Sequence, residues 1–188
     1  MQSKKLKKFV AIGMFSSISY ILMLLNFPFP GFPPYLNIDF SDIPALLAAI
    51  IFGPAAAILV ELLKNLLDFV MTGSESGVPI GHIANFLAGI AYVLPAYYIY
   101  KKVSSKKGLI IGLVVATIFM ALFMSVMNYY FILPAYGMFM NMDLGEAIKL
   151  VATAIFPFNL IKGVLIMTVF LLLFSKMQPW LTKLSTVK

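Results

Sequence analysis

The stretch ELLKNLLD, residues 61–68, combines four polar side chains with four leucines on what reads as a single helix. Glu61, Lys64, Asn65 and Asp68 are spaced i, i+3, i+4 and i+7, which confines them to an arc about 100° wide. In a membrane-spanning helix, an ionised group near the centre costs about 2.5 to 3.5 kcal/mol unless it finds a partner. The stripe therefore predicts a helix whose polar face meets a bundle interior, a wet cavity or other polar groups.

The chain around this stripe has the composition of an integral membrane protein. Its 188 residues are 62% hydrophobic and only 11% charged, whereas a soluble domain carries about 25% charged residues. Several apolar runs approach or exceed the roughly 20 residues that cross a bilayer as a helix. Nothing between the runs is long enough to form a second domain. We therefore expect one transmembrane domain covering residues 1–188, with a first helix that is not a removed signal peptide.

Lysines indicate how the chain crosses the membrane. The net charge of +7 arises from 14 lysines without any arginine. Most of them cluster at residues 4–8, 101–107 and 176–188, and the positive-inside rule places all three clusters in the cytoplasm. The number of crossings between successive clusters must then be even. This topological reading accounts for the positive charge without nucleic-acid binding and predicts cytoplasmic N and C termini.

Glycine and proline divide the apolar chain into six predicted helices. The stretch NFPFPGFPPYLNIDFSDIP, residues 26–44, is unsuited to helix or strand and reads as an outer loop, with Asp42 placed to cap the helix that follows. Gly53 and Pro54 form a turn, and the sequence predicts further outer loops at residues 72–79 and 134–146. The fold class is an all-α membrane protein with extracellular lid loops and six transmembrane helices, the second one short. The helices cover about residues 9–26, 41–52, 55–71, 80–100, 109–133 and 147–174.

Polar residues of four predicted helices fall at a similar depth, nearer the outside of the membrane. This arrangement predicts a pocket between helices that opens to the exterior beneath the outer loops. The alternative is that isolated asparagines and lysines join helices by hydrogen bonds, and His82 reads more simply as an interface residue. The residues concerned are Glu61, Lys64, Asp68, His82, Asn85, Asn128, Asn159 and Lys162.

The predicted pocket suits a neutral or zwitterionic ligand. Its two acids, Glu61 and Asp68, balance its two lysines, Lys64 and Lys162, which disfavours a pathway for ions of one sign. Asparagine amides donate and accept hydrogen bonds, so they can recognise an imide-like ring edge or a polyol. Neighbouring aromatic and leucine side chains could stack on a flat ring. A planar heterocycle with a polar tail fits these properties.

Motifs for catalysis are missing from the sequence. It contains no phosphate-binding loop, no H-E-x-x-H zinc pair and no G-x-S-x-G nucleophile elbow. The chain has no cysteine and a single histidine, so we expect neither a metal site nor a cofactor. We predict a transport protein rather than an enzyme, with ATP hydrolysis confined to partner subunits. The competing hypotheses are a stand-alone transporter or channel, and an intramembrane enzyme that uses Glu61 or Asp68 as a base.

The first helix carries small residues that suit close contact with another helix. Gly13 and Ser17 form a small-x-x-x-small pair, which serves either packing within the monomer or docking of a partner. Lysines at residues 4–8 either contact anionic lipid head groups or only set the topology.

Taken together, these residues resemble the substrate-binding S components of energy-coupling factor (ECF) vitamin transporters, and most closely the riboflavin-specific members. The resemblance covers essentially the whole chain and is most specific in NIDFSDIPALLAAIIFGPAAAILVELLKNLLDFV, residues 37–70. It implies six helices, cytoplasmic termini and an extracellular vitamin pocket capped by the loop after the first helix. It also implies a bacterial cell-membrane protein that assembles with a transmembrane coupling subunit and two cytoplasmic ATPases. The same scaffold for another vitamin remains an open alternative.

The resemblance also implies roles for individual residues. Family members contact the coupling subunit through small residues spaced Ala-x-x-x-Ala on the first helix. The matching register here reads Ala11 to Phe15, with Gly13 to Ser17 beside it, so this chain departs from the pattern. For riboflavin binding, the resemblance adds Leu36 and Phe40 in the loop to the polar set. The expected substrate-binding residues are Leu36, Phe40, Glu61, Lys64, Asp68, Asn85, Asn128, Asn159 and Lys162.

Overall fold

The computed structural model describes residues 2–74, 76–140 and 145–185, and most of them are helical. Two π-helical segments, Asn128–Ile132 and Val151–Ile155, join α5 to α6 and α7 to α8, so each of these pairs forms one continuous helix. The α-helices are α1 Gln2–Leu24, α2 Asp42–Phe52, α3 Pro54–Thr72, α4 Ile80–Val103, α5 Lys106–Met127, α6 Leu133–Met140, α7 Ala147–Leu150 and α8 Phe156–Ser185.

Within the described residues, four helical stretches are long and apolar enough to cross a membrane by length and composition. The third helix, α3, has 19 residues but carries the charges of the polar stripe, and α2 has only 11 residues. The four stretches are Lys5–Leu24, Ile80–Val103, Lys106–Met140 and Ala147–Met177.

Helix boundaries differ from the predicted ones mainly at three places, one of which is the last helix, which ends at Ser185 rather than near residue 174. The first helix begins at Gln2 rather than near residue 9, because lysine is a good helix former and extends the apolar segment. The loop predicted from residue 134 is wrong for residues 134–140, which are helical. Proline clashes with the preceding turn of a regular α-helix, but here the wider π-helical turn comes directly before Pro134. Residues 141–144 of that predicted loop, and residue 75 of the preceding one, lie outside the described residues.

Close helix packing through glycine holds part of the bundle together. A Cβ atom on Gly163 of α8 would lie 2.7 Å from the Thr117 side chain on α5, so only glycine permits this approach. Gly112 packs in the same way against the backbone of Ala96, which joins α4 to α5. The Tyr92 hydroxyl donates to the carbonyl of Gly163 at 3.0 Å. Helices α4, α5 and α8 therefore have fixed relative positions.

The proline-rich stretch contains a short ribbon, contrary to the expectation that it forms no strand. Strands β1, Phe27–Pro28, and β2, Asn37–Ile38, pair antiparallel, with Phe27 opposite Ile38. Ile38 is fully buried, so non-local pairing and burial outweigh the poor strand propensity of this stretch. The ribbon closes the intervening residues into a loop that folds back over the bundle.

Candidate functional site

A cavity of about 670 Å³ opens at the end of the bundle where α1 and α3 finish and α4 begins. The first π-helical segment, α6, the start of α8 and the proline-rich loop complete its wall. Apolar and polar side chains are mixed in this wall. The wall includes Leu36, Asp39, Asp68, His82, Asn85, Met124, Asn128, Ile132, Tyr136, Met140, Phe158, Asn159 and Lys162.

Six of the nine expected binding residues line the cavity: Leu36, Asp68, Asn85, Asn128, Asn159 and Lys162. Among the described residues, Phe40, Glu61 and Lys64 lie outside the wall, which corrects the expectation that they face the ligand. Phe40 is half-buried and packs against the apolar core of the bundle. Glu61 and Lys64 are completely buried, because a carboxylate from α2 holds Lys64 away from the cavity.

That carboxylate belongs to Asp42, the first residue of α2. Lys64 Nζ lies 2.5 Å from Asp42 Oδ1 and 2.8 Å from Glu61 Oε2, and it donates to Ser41 Oγ at 2.7 Å. The expectation that Asp42 caps α2 is therefore wrong: Ser41 occupies the N-cap position, and the Asp42 carboxylate pairs with Lys64. These contacts join α2 to α3 in the interior, where an unpaired charge would be costly.

Gly89 of α4 makes room for the Glu61 carboxylate. A Cβ atom at this position would lie 2.1 Å from Glu61 Oε2, well inside van der Waals contact. The carboxylate therefore rests directly on the backbone of α4 while it pairs with Lys64. A glycine in the middle of a helix normally weakens that helix, so this position is explained by the neighbour it accommodates.

Lys162 is fixed in the cavity wall by Asp39, a residue that the sequence analysis left without a role. The Nζ atom lies 2.9 Å from Asp39 Oδ2, and the two residues are 4% and 2% exposed. Ser41 donates to Asp39 Oδ1 through its backbone nitrogen at 2.9 Å and through its hydroxyl. Asn85 Nδ2 makes a longer contact of 3.4 Å with Asp39 Oδ2. The ammonium group is thus held at one point of the wall.

The charge of Asp39 follows from its surroundings. Burial raises the pKa of a carboxyl group, but here the Lys162 and Lys64 ammonium groups and the Ser41 hydrogen bond outweigh it and lower the Asp39 pKa well below its usual value. The carboxylate is therefore ionised at physiological pH. A signal was present in the sequence: two lysines within apolar helices require buried partners, and Asp39 and Asp42 lie at the start of a short apolar helix.

Asp68 takes no part in the buried ion pairs of Lys64 and Lys162. Its Oδ2 atom lies 3.0 Å from His82 Nε2 near the cavity mouth, with both side chains partly exposed. His82 also packs edge-on against Phe69, with ring centroids 5.4 Å apart. The charge balance expected from Glu61, Asp68, Lys64 and Lys162 is therefore incomplete, because Asp39 and Asp42 join Glu61 as partners of the lysines, and Asp68 pairs with His82 instead.

Asn128 and Asn159 have their amide groups oriented by their own helices. Asn128 Nδ2 donates to the carbonyl of Met124 at 2.7 Å, and Asn159 Nδ2 donates to that of Ile155 at 2.8 Å. A carbonyl only accepts hydrogen bonds, so the amide nitrogen must face it. The oxygen and the second N–H of each amide are then left for a ligand. Asn65 makes the same backbone bond, to Glu61 at 2.8 Å, but lies outside the cavity lining.

The four expected docking residues of α1 separate into two groups. Gly13 and Ser17 are exposed, and Ser17 Oγ donates to the carbonyl of Gly13 at 3.0 Å. Ala11 and Phe15 are half-buried, and the Phe15 ring packs edge-on against Phe52 with centroids 6.3 Å apart. Phe15 therefore contributes to packing within the monomer. The exposed face around Gly13 also carries large apolar side chains: Val10, Met14, Ile18 and Ile21.

Metal binding finds no support in the described part of the chain, where no group of three or more His, Cys, Asp or Glu side chains is arranged to hold an ion.

Comparisons with known proteins agree with one another. The family model "ECF transporter, substrate-specific component" matches residues 7–174. Riboflavin transporter FmnP of Bacillus subtilis (strain 168) is 49% identical over 180 residues, which cover 94% of this chain and 95% of the relative. Riboflavin transporter RibU of Staphylococcus aureus (strain TCH60) is 45% identical over 180 residues, covering 95% and 94%. A solved structure described as "Structure and mechanism of the S component of a bacterial ECF transporter" superposes with a TM-score of 0.81 at 44% identity, covering 94% of this chain and 98% of that one.

Proposed function

Since this chain belongs to the substrate-specific components of ECF transporters, we propose that it is the riboflavin-binding membrane subunit of a bacterial vitamin importer. Relatives that carry the name riboflavin transporter are 49% and 45% identical over nearly the whole chain. The observation that carries the proposal is the cavity that Asn128, Asn159 and Lys162 line together. Its volume lies within the roughly 300 to 1,000 Å³ of pockets that bind drug-sized ligands.

The chemistry of these three residues matches the polar edge of a flavin ring. That edge presents an imide N–H between two carbonyl groups. The amide oxygen of either Asn128 or Asn159 can accept from the N–H, and the Lys162 ammonium group can donate to a carbonyl. Phe158 and Leu36 offer apolar surface for the flat ring.

The remaining expected residues either contact the polar tail of the ligand or support the site without contacting the ligand. Asp68 and Asn85 suit the hydroxyl groups of a ribityl tail, because a carboxylate accepts and an amide both donates and accepts. Glu61 and Lys64 support the site through the buried ion pairs that join α2 to α3. Phe40 supports it through the core.

The orientation in the membrane follows from the lysines. The cavity lies at the N-terminal end of α4, whereas Lys101 and Lys102 lie in its last turn. Lys106 and Lys107 begin α5 at the same end as these two residues. With the lysine end in the cytoplasm, both termini are cytoplasmic, the chain crosses the cell membrane six times with α2 as a short span, and the proline-rich loop covers an extracellular cavity.

Energy for uptake comes from partner subunits in this proposal, because the sequence lacks a phosphate-binding loop. A transmembrane coupling subunit and two cytoplasmic ATPases complete the importer. The exposed face of α1 around Gly13 and Ser17 is the proposed docking surface, flanked by Ala11 and Phe15. Its small residues allow another helix to approach closely.

Binding tests the proposal directly. We expect the protein purified in detergent to carry a yellow chromophore, and to quench riboflavin fluorescence on titration once the chromophore has been removed. Asn128→Ala should weaken binding by about 1 to 3 kcal/mol, or roughly 5- to 150-fold. Asn65→Ala is the matched control, because it removes the same type of backbone bond outside the cavity and should leave affinity unchanged. A colourless protein that does not quench riboflavin fluorescence would contradict the proposal.

A further inference from the structure

The helix formed by α5 and α6 contributes cavity residues at a constant spacing of four. Met124, Asn128, Ile132, Tyr136 and Met140 all line the cavity. In a regular α-helix each residue turns the chain by about 100°, so each step of four drifts by about 40°. Across these five residues the drift would reach about 160°, and the first and last side chains would point to nearly opposite sides. One regular helix could not place all five in one wall.

The π-helical segment Asn128–Ile132 removes most of this drift. The backbone N–H of Leu133 bonds to the carbonyl of Asn128, five residues earlier, so this turn holds one residue more than an α-helical turn. The extra residue takes back about 100° of rotation, which leaves Met124 and Met140 about 60° apart and all five cavity residues within about 80°. The segment thus brings the cavity-facing side chains of α6 onto the same side of the helix as those of α5.

Side-chain exposure agrees with this register. Within the segment, Tyr130 and Phe131 are 63% and 62% exposed, whereas Ile132 is 5% exposed. One turn later the Tyr136 ring packs against Tyr35 of the proline-rich loop, with centroids 6.0 Å apart. The realigned helix therefore also contacts the loop that covers the cavity.

We propose that the π-helical segment 128–132 is a specificity-determining element of the binding site, because its extra residue turns Tyr136 and Met140 into the wall that faces the ligand. A uniform α-helix with the same residues would present Ala135 and Phe139 on the face of Asn128 instead. This inference rests on the proposed function for its probe, riboflavin. The alignment of Tyr136 and Met140 with Asn128 does not come from any one side chain, because it is set by the backbone register.

Cysteine protection can measure the register, since the chain contains no cysteine. The single variants are Ala135→Cys, Tyr136→Cys, Phe139→Cys and Met140→Cys, each labelled with a small thiol reagent with and without saturating riboflavin. We expect riboflavin to slow labelling at positions 136 and 140, and to leave 135 and 139 unchanged. A substitution at 136 or 140 that abolishes binding outright, while those at 135 and 139 retain it, gives the same answer. Protection at 135 and 139 instead would overturn the proposal.

A deletion separates backbone register from side-chain chemistry. Removing Tyr130 entirely should convert the segment to a regular turn and weaken riboflavin binding about tenfold or more. Tyr130→Ala removes the exposed side chain without changing the register and should bind like the parent. Inserting an alanine after Ile132 in the deletion variant restores the register and should recover affinity. Parent-like binding by the deletion variant would overturn the proposal, and if that variant does not fold, the cysteine pattern decides. A parent protein that does not bind riboflavin would instead refute the proposed function.

Discussion

Replacing Asp39 with asparagine tests whether its ion pair with Lys162 stabilises the cavity wall. The substitution keeps the shape of the side chain but removes the charge 2.9 Å from Lys162 Nζ. Both residues are at least 96% buried, since they are 2% and 4% exposed, so little water can replace the lost partner. Breaking one side of a buried pair costs about 3 to 5 kcal/mol. For a chain of this size, 1 kcal/mol corresponds to about 2 to 4 °C, so we expect Tm to fall by about 6 to 20 °C.

A double-mutant cycle isolates the pair itself. Lys162→Met removes the other charge, and combining it with Asp39→Asn leaves no unpaired ion in the wall. We therefore expect the double variant to be more stable than Asp39→Asn alone, with a coupling energy on the order of 2 kcal/mol. Asp68→Asn is the matched control, because its partner His82 lies 3.0 Å away at the partly exposed mouth. That variant should change stability by less than about 1 kcal/mol.

Size-exclusion chromatography after heating measures these effects on the detergent-solubilised protein without riboflavin. The observable is the temperature at which half of the monodisperse peak is lost. Additive effects of Asp39→Asn and Lys162→Met would refute the reasoning, because independent losses mean that the two charges do not compensate each other. A drop for Asp68→Asn as large as that for Asp39→Asn would refute it as well, since burial would then not be the cause.

Three further predictions, made with four substitutions, address the remaining contacts. Gly89→Ala should lower Tm by several degrees because the new Cβ would collide with the Glu61 carboxylate. The control Gly13→Ala should not lower Tm, since open space surrounds that Cβ position among the described residues. Equal Tm values for the two variants would contradict this prediction. Ser41→Ala should weaken riboflavin binding in a fluorescence titration, because Asp39 loses the hydroxyl that helps to hold it, and unchanged affinity would show that Asp39 needs no such support. Gly13→Leu should leave riboflavin binding intact but reduce uptake by cells, and a loss of binding would make this face of α1 a packing surface rather than a docking surface.

Composition and periodicity were sufficient to predict a mostly helical protein with apolar spans. The helical spacing of Glu61, Lys64 and Asn65 also indicates which face of α3 is buried, because a polar stripe on an apolar helix needs an interior partner. Sequence could not identify that partner. Asp42 is separated from Lys64 by 22 residues and Asp39 from Lys162 by 123, so both pairs depend on how the helices assemble.

The continuation of the helix beyond Pro134 was also not predictable from residue patterns. Proline and the following glycine suggest that the helix ends, and the local sequence contains no marker for a π-helical turn. The spacing of four between Asn128, Ile132 and Tyr136 becomes informative only once the cavity is known. Backbone register depends on hydrogen bonding along the whole helix. The spacing of apolar and polar residues in the sequence therefore did not reveal that one turn holds an extra residue.

The buried contacts of α3 have a consequence for how the chain enters the membrane. Three ionisable groups on one helix cost about 2.5 to 3.5 kcal/mol each during insertion, which makes α3 a poor substrate for the translocon by itself. Asp42 is synthesised before Lys64, and Gly53 turns α2 directly into α3, so the two helices can enter as a hairpin with the first charge already neutralised. A glycosylation-reporter assay should detect efficient integration of residues 41–72 and poor integration of residues 54–72 alone. We therefore expect biogenesis of this protein to depend on a helix of 11 residues that is too short to span the bilayer by itself but is made early enough to pair with α3 as it inserts.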